Sequence, residues 1–307
     1  MELRHMRYFK AIASELHVTR AAETLGVAQP ALTQQVRALE AELGVALLRR
    51  VGRNIALTEA GQVFFAEASG VLERVASMEA ATRKAGRGET GRVVLGYIET
   101  ASYTALMAGA IADCRHRWPD IELVLVQDRT LGLVEALVGH AVDIAIVRPP
   151  LPPQDGIRLE VLASEGLLLA VHRRHWLAQR RSVDIGELAG EGFISHGRQR
   201  GRAGLHDLIE QACQRAGFAR TIAQTAPQYA SGLNLVAAAL GIAIVPACMR
   251  HLRTDAVAYV PLQSDPPLVS EIALASRAHE RAPSVLNVMQ VARDLAAGKG
   301  ATHPGPL

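Results

Sequence analysis

Along the first sixty residues, apolar positions recur at steps of three and four: Leu3, Met6 and Phe9, then Ala21, Ala22 and Leu25, then Leu32, Val36, Leu39 and Leu43. This spacing predicts three amphipathic helices in succession, each with its apolar stripe turned inward. The second is expected to open at Thr19, whose hydroxyl suits an N-cap, and to close at Gly26, which tolerates the left-handed backbone of a helix end. The third opens on Gln29-Pro30, because the amide that proline lacks has no partner in a first helical turn. Two short helices about a tight turn make a helix-turn-helix. Its second helix leaves Gln29, Pro30, Thr33, Gln34 and Arg37 outward, side chains that suit base edges or phosphates when a helix enters a major groove.

The alternation then changes. Residues Arg49 to Leu57 have a Gly-Arg-Asn turn between short apolar strands and predict a β-hairpin, the wing of a winged helix. Arg53 at its tip is the candidate for the minor groove, while Arg20, Arg49 and Arg50 are candidates for phosphate contacts that set register without reading sequence. From Thr58 to about Lys84 there is no proline, and Phe64, Ala68, Val71, Val75 and Met78 trace one seam. A helix of that length runs about 40 Å. Its exposed seam calls for a partner, which predicts a dimerisation helix. Residues Gly86 to Gly91 spell a dinucleotide-type glycine pattern, but they follow a helix and precede a strand, the reverse of the context that holds a pyrophosphate. They are read as a hinge.

Beyond the hinge, apolar runs alternate with helical patterns: Val93 to Tyr97, Leu106 to His116, Ile121 to Val126, Leu131 to Val138 and Asp143 to Val147. A second series starts at Leu167 to Val171 and continues through Gly192 to Ser195, Leu205 to Ala216, Leu233 to Ala239 and Gly241 to Pro246. The chain then returns through Glu271 to Leu274. This predicts an α/β fold of two lobes, joined by crossing strands near Leu159 to Ala163 and Val257 to Pro261. The expected domains are a winged helix-turn-helix at 1–57, a linker helix and hinge at 58–90, and a two-lobed unit at 91–298. Lobe I spans about 91–161 and 262–298, and lobe II about 162–261; residues 299–307 form a tail that is disordered by composition.

Composition narrows the function classes. The 307 residues are 49% hydrophobic, enough for two or three cores, and the net charge is only +3. Residues 1–57 nonetheless hold more basic than acidic side chains, a modest excess that suits a specific DNA binder better than an indiscriminate polycation. No apolar run approaches a membrane span, which predicts a cytoplasmic protein. Cys114, Cys213 and Cys248 are odd in number and widely spaced, so they predict buried thiols rather than disulfides or a zinc site. His172 and His175 lie among arginines, which disfavours a metal. Ser195-His196 lacks the strand-turn-helix pattern of a nucleophile elbow. No catalytic constellation, metal site or cofactor is expected, and Trp118 and Trp176 are read as packing residues.

At this point the chain resembles the LysR-type transcriptional regulators. The resemblance rests on Ala21-Ala22, Gln29-Pro30, Leu39-Glu40-Ala41-Glu42-Leu43-Gly44, the Leu47 to Arg50 run and Leu57-Thr58-Glu59-Ala60-Gly61. It departs from that pattern at Ala28, where a capping serine is usual. The resemblance implies a homodimer or tetramer on double-stranded promoter DNA, with RNA polymerase as a further partner. It also implies a periplasmic-binding-protein-like effector domain whose ligand sits between the lobes. Matched onto this sequence, the cleft takes Glu99, Thr100 and Ser102 after the first strand, Arg129 after the second, Arg148 after the third, Ser195 and Arg202 around the fourth loop, and Gln228 at a helix start. Arg198, Arg200 and Arg202, with Arg129 and Arg148, supply forked donors that predict an anionic, carboxylate effector. The alternative reading is a solute-binding or enzymatic α/β protein with an accessory winged helix.

Overall fold

The computed structural model describes residues 1–51, 54–196 and 204–298 and divides into two compact units, Met1–Lys84 and Ala85–Leu307. In the first unit α1 (Leu3–Glu15), α2 (Val18–Leu25) and α3 (Gln29–Leu43) close over Phe9, Ile12, Ala21, Leu32, Val36, Leu39 and Leu47. Gly26 ends α2 at φ 67°, in the left-handed region expected of it. The start of α2 differs from expectation: the N-cap is His17, whose ring accepts the Arg20 amide at 3.4 Å, so Thr19 lies inside the helix. Leu3 and Leu43 are exposed rather than buried, because each stands at a helix end beyond the reach of the facing helices.

Strands β1 (Leu48–Val51) and β2 (Asn54–Leu57) pair antiparallel as the expected hairpin. The side chain of Glu40 on α3 accepts the amides of Leu47 and Leu48 at 2.8 and 3.0 Å, fixing where the hairpin begins. Helix α4 (Glu59–Gly86) is opened by Thr58, whose hydroxyl accepts the Gly61 amide at 2.9 Å and donates to the Ala46 carbonyl at 2.7 Å. Phe64 of α4 meets Phe9 edge-on at 5.1 Å between ring centroids. Further along the seam Val71 and Met78 are 40% and 62% exposed.

The second unit begins with β3 (Thr90–Tyr97), α5 (Ala105–Arg117), β4 (Asp120–Gln127), α6 (Thr130–Val138) and β5 (Ile144–Val147). β3 lies parallel between β4 and β5, the βαβ arrangement that the alternating pattern predicts. β6 (Ile157–His172) is one continuous strand of 16 residues rather than a crossing segment followed by a separate strand. The polar step Ser164-Glu165-Gly166 looks like a break, yet it stays paired along β12 (Val269–Arg277). The distal half of β6 pairs with β10 (Ala243–Pro246) and β11 (Val257–Gln263) in lobe II. The return crossing therefore falls at the start of β12, where Val269 to Glu271 pair with Ser164 to Gly166, not at Val257 to Pro261, whose partners are all in lobe II.

Lobe II adds β7 (Val183–Asp184), the parallel pair β8 (Gly192–His196) and β9 (Thr221–Ala226), and the helices α7 (Gly204–Arg215) and α8 (Tyr229–Ala237). α9 (Pro283–Ala296) returns to the lobe I core through Val285, Val288 and Met289. Trp118 packs against that core as expected. Trp176 does not: it is 56% exposed, with its indole N–H donating to Glu191 and the Arg180 guanidinium over its ring.

Candidate functional site

Two faces carry the candidate chemistry, one in each unit. On α3, Gln29, Pro30, Gln34 and Arg37 are exposed and Thr33 is half-buried. Gln29 and Thr33 are paired across one helical turn: the Thr33 hydroxyl donates to the Gln29 carbonyl at 3.0 Å and accepts from the Gln29 side chain at 3.3 Å. Ala28 caps α3 without any side-chain hydrogen bond, as expected from the missing serine. Arg20 is exposed on α2 and lies 4.0 Å from Glu15. Arg49 and Arg50 are both exposed, opposite Ala56 and Ile55 in the hairpin. Neighbouring strand residues point to opposite faces, so their side chains leave the hairpin on different sides. Arg53 lies outside the described residues.

In the second unit a cavity of about 230 Å³ opens between the lobes. Its wall includes Glu99, Thr100, Asp128, Arg129, Thr130 and Arg148 from lobe I, and His196, His206, Gln228 and Tyr229 from lobe II. Strand ends and helix starts converge here, the usual position of a ligand in an open α/β sheet. Of the sequence candidates, Glu99, Thr100, Arg129, Arg148 and Gln228 reach this wall. Ser102 does not; it is exposed and its hydroxyl donates back to the Glu99 carbonyl at 2.6 Å. Ser195 is buried in β8, one residue short of the pocket, because its neighbour His196 takes the face that looks inward. Arg202 lies outside the described residues.

Arg148 is held differently from an open anion clamp. Only 2% exposed, it donates through Nε to Thr100 Oγ1 at 2.9 Å, through Nη1 to Ser270 Oγ at 2.7 Å, and through Nη2 to Glu165 Oε1 at 2.5 Å and Cys248 Sγ at 3.7 Å. Glu165 stands in the crossing stretch of β6 and also accepts the Cys248 amide of lobe II at 2.6 Å. Arg148 thus ties the lobe I strand ends to the pivot between the lobes. Arg129, by contrast, is exposed on the pocket rim at the start of α6.

His196 was passed over in sequence because only its serine neighbour suggested chemistry. Its ring stacks on Tyr229 at 3.6 Å, and Nε2 is buried without a hydrogen-bond partner among the described residues. Burial, with lesser contributions from His206 and Arg220, lowers its pKa to about 4, so the imidazole is neutral at neutral pH. His206 was likewise unforeseen in the pocket wall, and it too is shifted down, chiefly by burial. The thiols are inert in character: burial pushes Cys114 and Cys213 up to about 11 and Cys248 to about 12. Among the described residues no cluster of His, Cys, Asp and Glu could hold a metal, and no helix is long and apolar enough to cross a membrane.

A winged helix-turn-helix joined through a long helix to a two-lobed binding unit defines a ligand-responsive DNA-binding regulator. Residues 3–62 match the bacterial regulatory helix-turn-helix protein, lysR family, and residues 86–297 match the LysR substrate binding domain. The chain belongs to the LysR family of transcriptional regulators. It is 33% identical over 291 residues to the HTH-type transcriptional regulator BudR of Raoultella terrigena, covering 95% of this chain and 100% of that one. It is also 33% identical over 285 residues to the HTH-type transcriptional regulator CatR of Pseudomonas putida, covering 93% and 96%. The crystal structure of CbnR, a LysR family transcriptional regulator, superposes with a TM-score of 0.84 at 28% identity, covering 95% of this chain and 100% of that one. CbnR in complex with its target DNA superposes at 0.80, with 28% identity and coverage of 96% and 100%. Its relatives are transcriptional regulators rather than enzymes, and proteins of this family bind DNA and small-molecule effectors as oligomers.

Proposed function

We propose that this regulator, acting in the cytoplasm, responds to a small carboxylate bound between the lobes. The observation that carries this reading is the anchoring of one segment: His196 and Gly204 both stand on the pocket wall, and the sequence between them includes Arg198, Arg200 and Arg202. That sequence carries three guanidinium groups, Arg129 is exposed on the pocket wall, and forked donors match carboxylate geometry. Arg148 supports the site by positioning Thr100 and the pivot. The apolar seam of α4 is read as the dimerisation surface, and Arg20, Gln29, Pro30, Thr33, Gln34, Arg37, Arg49, Arg50 and Arg53 as the DNA-contacting set.

The test is calorimetric titration of the full chain with small carboxylates and their neutral amides. Binding at about 100 times Kd adds roughly 2.7 kcal/mol of stability, and Arg129→Ala with Arg202→Ala should abolish the preference for the acid. Equal response to acid and amide would refute the carboxylate reading. For DNA, Arg37→Ala should reduce the slope of log affinity against log salt by about 1 if it meets a phosphate. If it instead relaxes selectivity for one base pair, Arg37 reads sequence.

A further inference from the structure

The carboxylate of Glu99 belongs to lobe I, in the turn that follows β3, yet it is bonded to lobe II. Oε2 accepts the Tyr229 amide at 2.7 Å and Oε1 the Ala230 amide at 2.9 Å. These are the first two amides of α8, which the helix leaves without internal partners, and the helix dipole favours negative charge there. Oε1 also accepts the Tyr103 hydroxyl at 3.3 Å, and Tyr103 packs against an apolar cluster of lobe II. The next residue is held across the same gap, its carbonyl accepting the Cys248 thiol at 3.5 Å.

An acid also stands beside the start of α6 on the pocket wall, though its bond is to the N-cap amide. Asp128 Oδ1 accepts the Arg129 amide at 2.7 Å, and its Oδ2 lies 2.3 Å from where a Cβ on Gly132 would stand. A side chain at 132 would require that carboxylate to move. The start of α8 is therefore occupied by one of the chain's own acids, and an aspartate stands beside the start of α6.

We propose that Glu99 is a tethered ligand: it fills the anion position at the start of α8, joins the lobes without an effector, and reserves that end of the pocket against an external carboxylate. The inference rests on the effector pocket proposed above and refines it, keeping the effector's charge away from the start of α8. A second carboxylate beside Glu99 would meet like-charge repulsion in a half-buried site.

The test follows hydrogen exchange at the Tyr229 and Ala230 amides in the full chain, with sodium acetate as probe and sodium chloride as ionic-strength control. In Glu99→Ala, exchange at these two amides should accelerate roughly tenfold or more. Acetate should restore protection saturably in the variant and leave the wild type unchanged. Unaltered protection in Glu99→Ala overturns the proposal, and so does lost protection that acetate cannot restore. Should Glu99→Ala fail to fold, Glu99→Gln retains the shape with a neutral acceptor; faster exchange at both amides supports the tether, and wild-type exchange overturns it. Acetate reports on this position whether or not the natural effector is a carboxylate, so the two readings fail separately.

Discussion

Arg148 separates two accounts of the pocket, and its removal has a calculable cost. Truncation to alanine deletes donors to Thr100, Ser270 and Glu165 at 2.9, 2.7 and 2.5 Å. It leaves the Glu165 carboxylate, 18% exposed, held by the Cys248 amide. Removing one member of a buried ion pair costs about 3–5 kcal/mol, because the surviving charge stays desolvated. For a unit of this size each kcal/mol moves the melting temperature by roughly 2–4 °C, so scanning calorimetry of the full chain should show the transition of the second unit lowered by roughly 10 °C. Replacing both partners, Arg148→Met with Glu165→Gln, removes the orphaned charge and should recover about 1–3 kcal/mol of the loss. A guanidinium that served only to bind effector would be dispensable for folding. If Arg148→Ala melts within about 1 kcal/mol of wild type, or if the double variant is no more stable than the single one, the pivot reasoning is wrong.

Three further outcomes can be checked by melting and denaturation experiments. Ala28→Ser supplies the side-chain cap that α3 lacks and should stabilise the DNA-binding unit by about 1 kcal/mol, read as a raised urea midpoint. Gly61→Ala should do the opposite and disrupt that unit, since its Cβ would stand 2.0 Å from the Leu47 carbonyl oxygen, a backbone atom that cannot yield. A variant as stable as wild type would disprove the close approach of α4 to the hairpin. The pH dependence follows from His196, whose pKa is lowered to about 4 in the folded chain. Between there and its ordinary value near 6.5 the unfolded chain binds more protons. Stability is therefore complete above about pH 6.5 and declines by roughly 3 kcal/mol as pH falls toward 4. His196→Gln should flatten that slope in urea titrations taken at successive pH values, and an unchanged slope would assign it to other groups.

What was legible in the sequence depends on how far apart the interacting residues lie. The three helices, the hairpin and the βαβ start of lobe I follow from local periodicity and turn chemistry, and the structure reproduces them within a few residues. Local rules misled where two candidates compete at one place: His17 and Thr19 can both cap α2, and His17 takes the cap by accepting the Arg20 amide. The continuity of β6 was hidden because Glu165 interrupts the apolar run, and Glu165 is there for the Arg148 pair rather than for the sheet.

The pocket shows the same division more sharply. A strand end in an open α/β sheet delivers its following residues to the cleft, in keeping with the resemblance from which Glu99, Arg129 and Arg148 were assigned to it. What each side chain binds could not, since the partners of Glu99 and Arg148 lie as far as 131 and 122 residues away. An arginine after a strand looks the same in sequence whether it faces a ligand or a buried glutamate, and a glutamate looks the same whether it repels an anion or replaces one. Burial decides between these cases. Arg148 has almost no surface to offer a ligand, whereas Arg129 is open, so the proposed carboxylate reading rests on Arg129 and not on Arg148. Glu99, Arg148 and Glu165 are already engaged within the chain, which is why a charged residue after a strand end does not by itself mark a ligand contact.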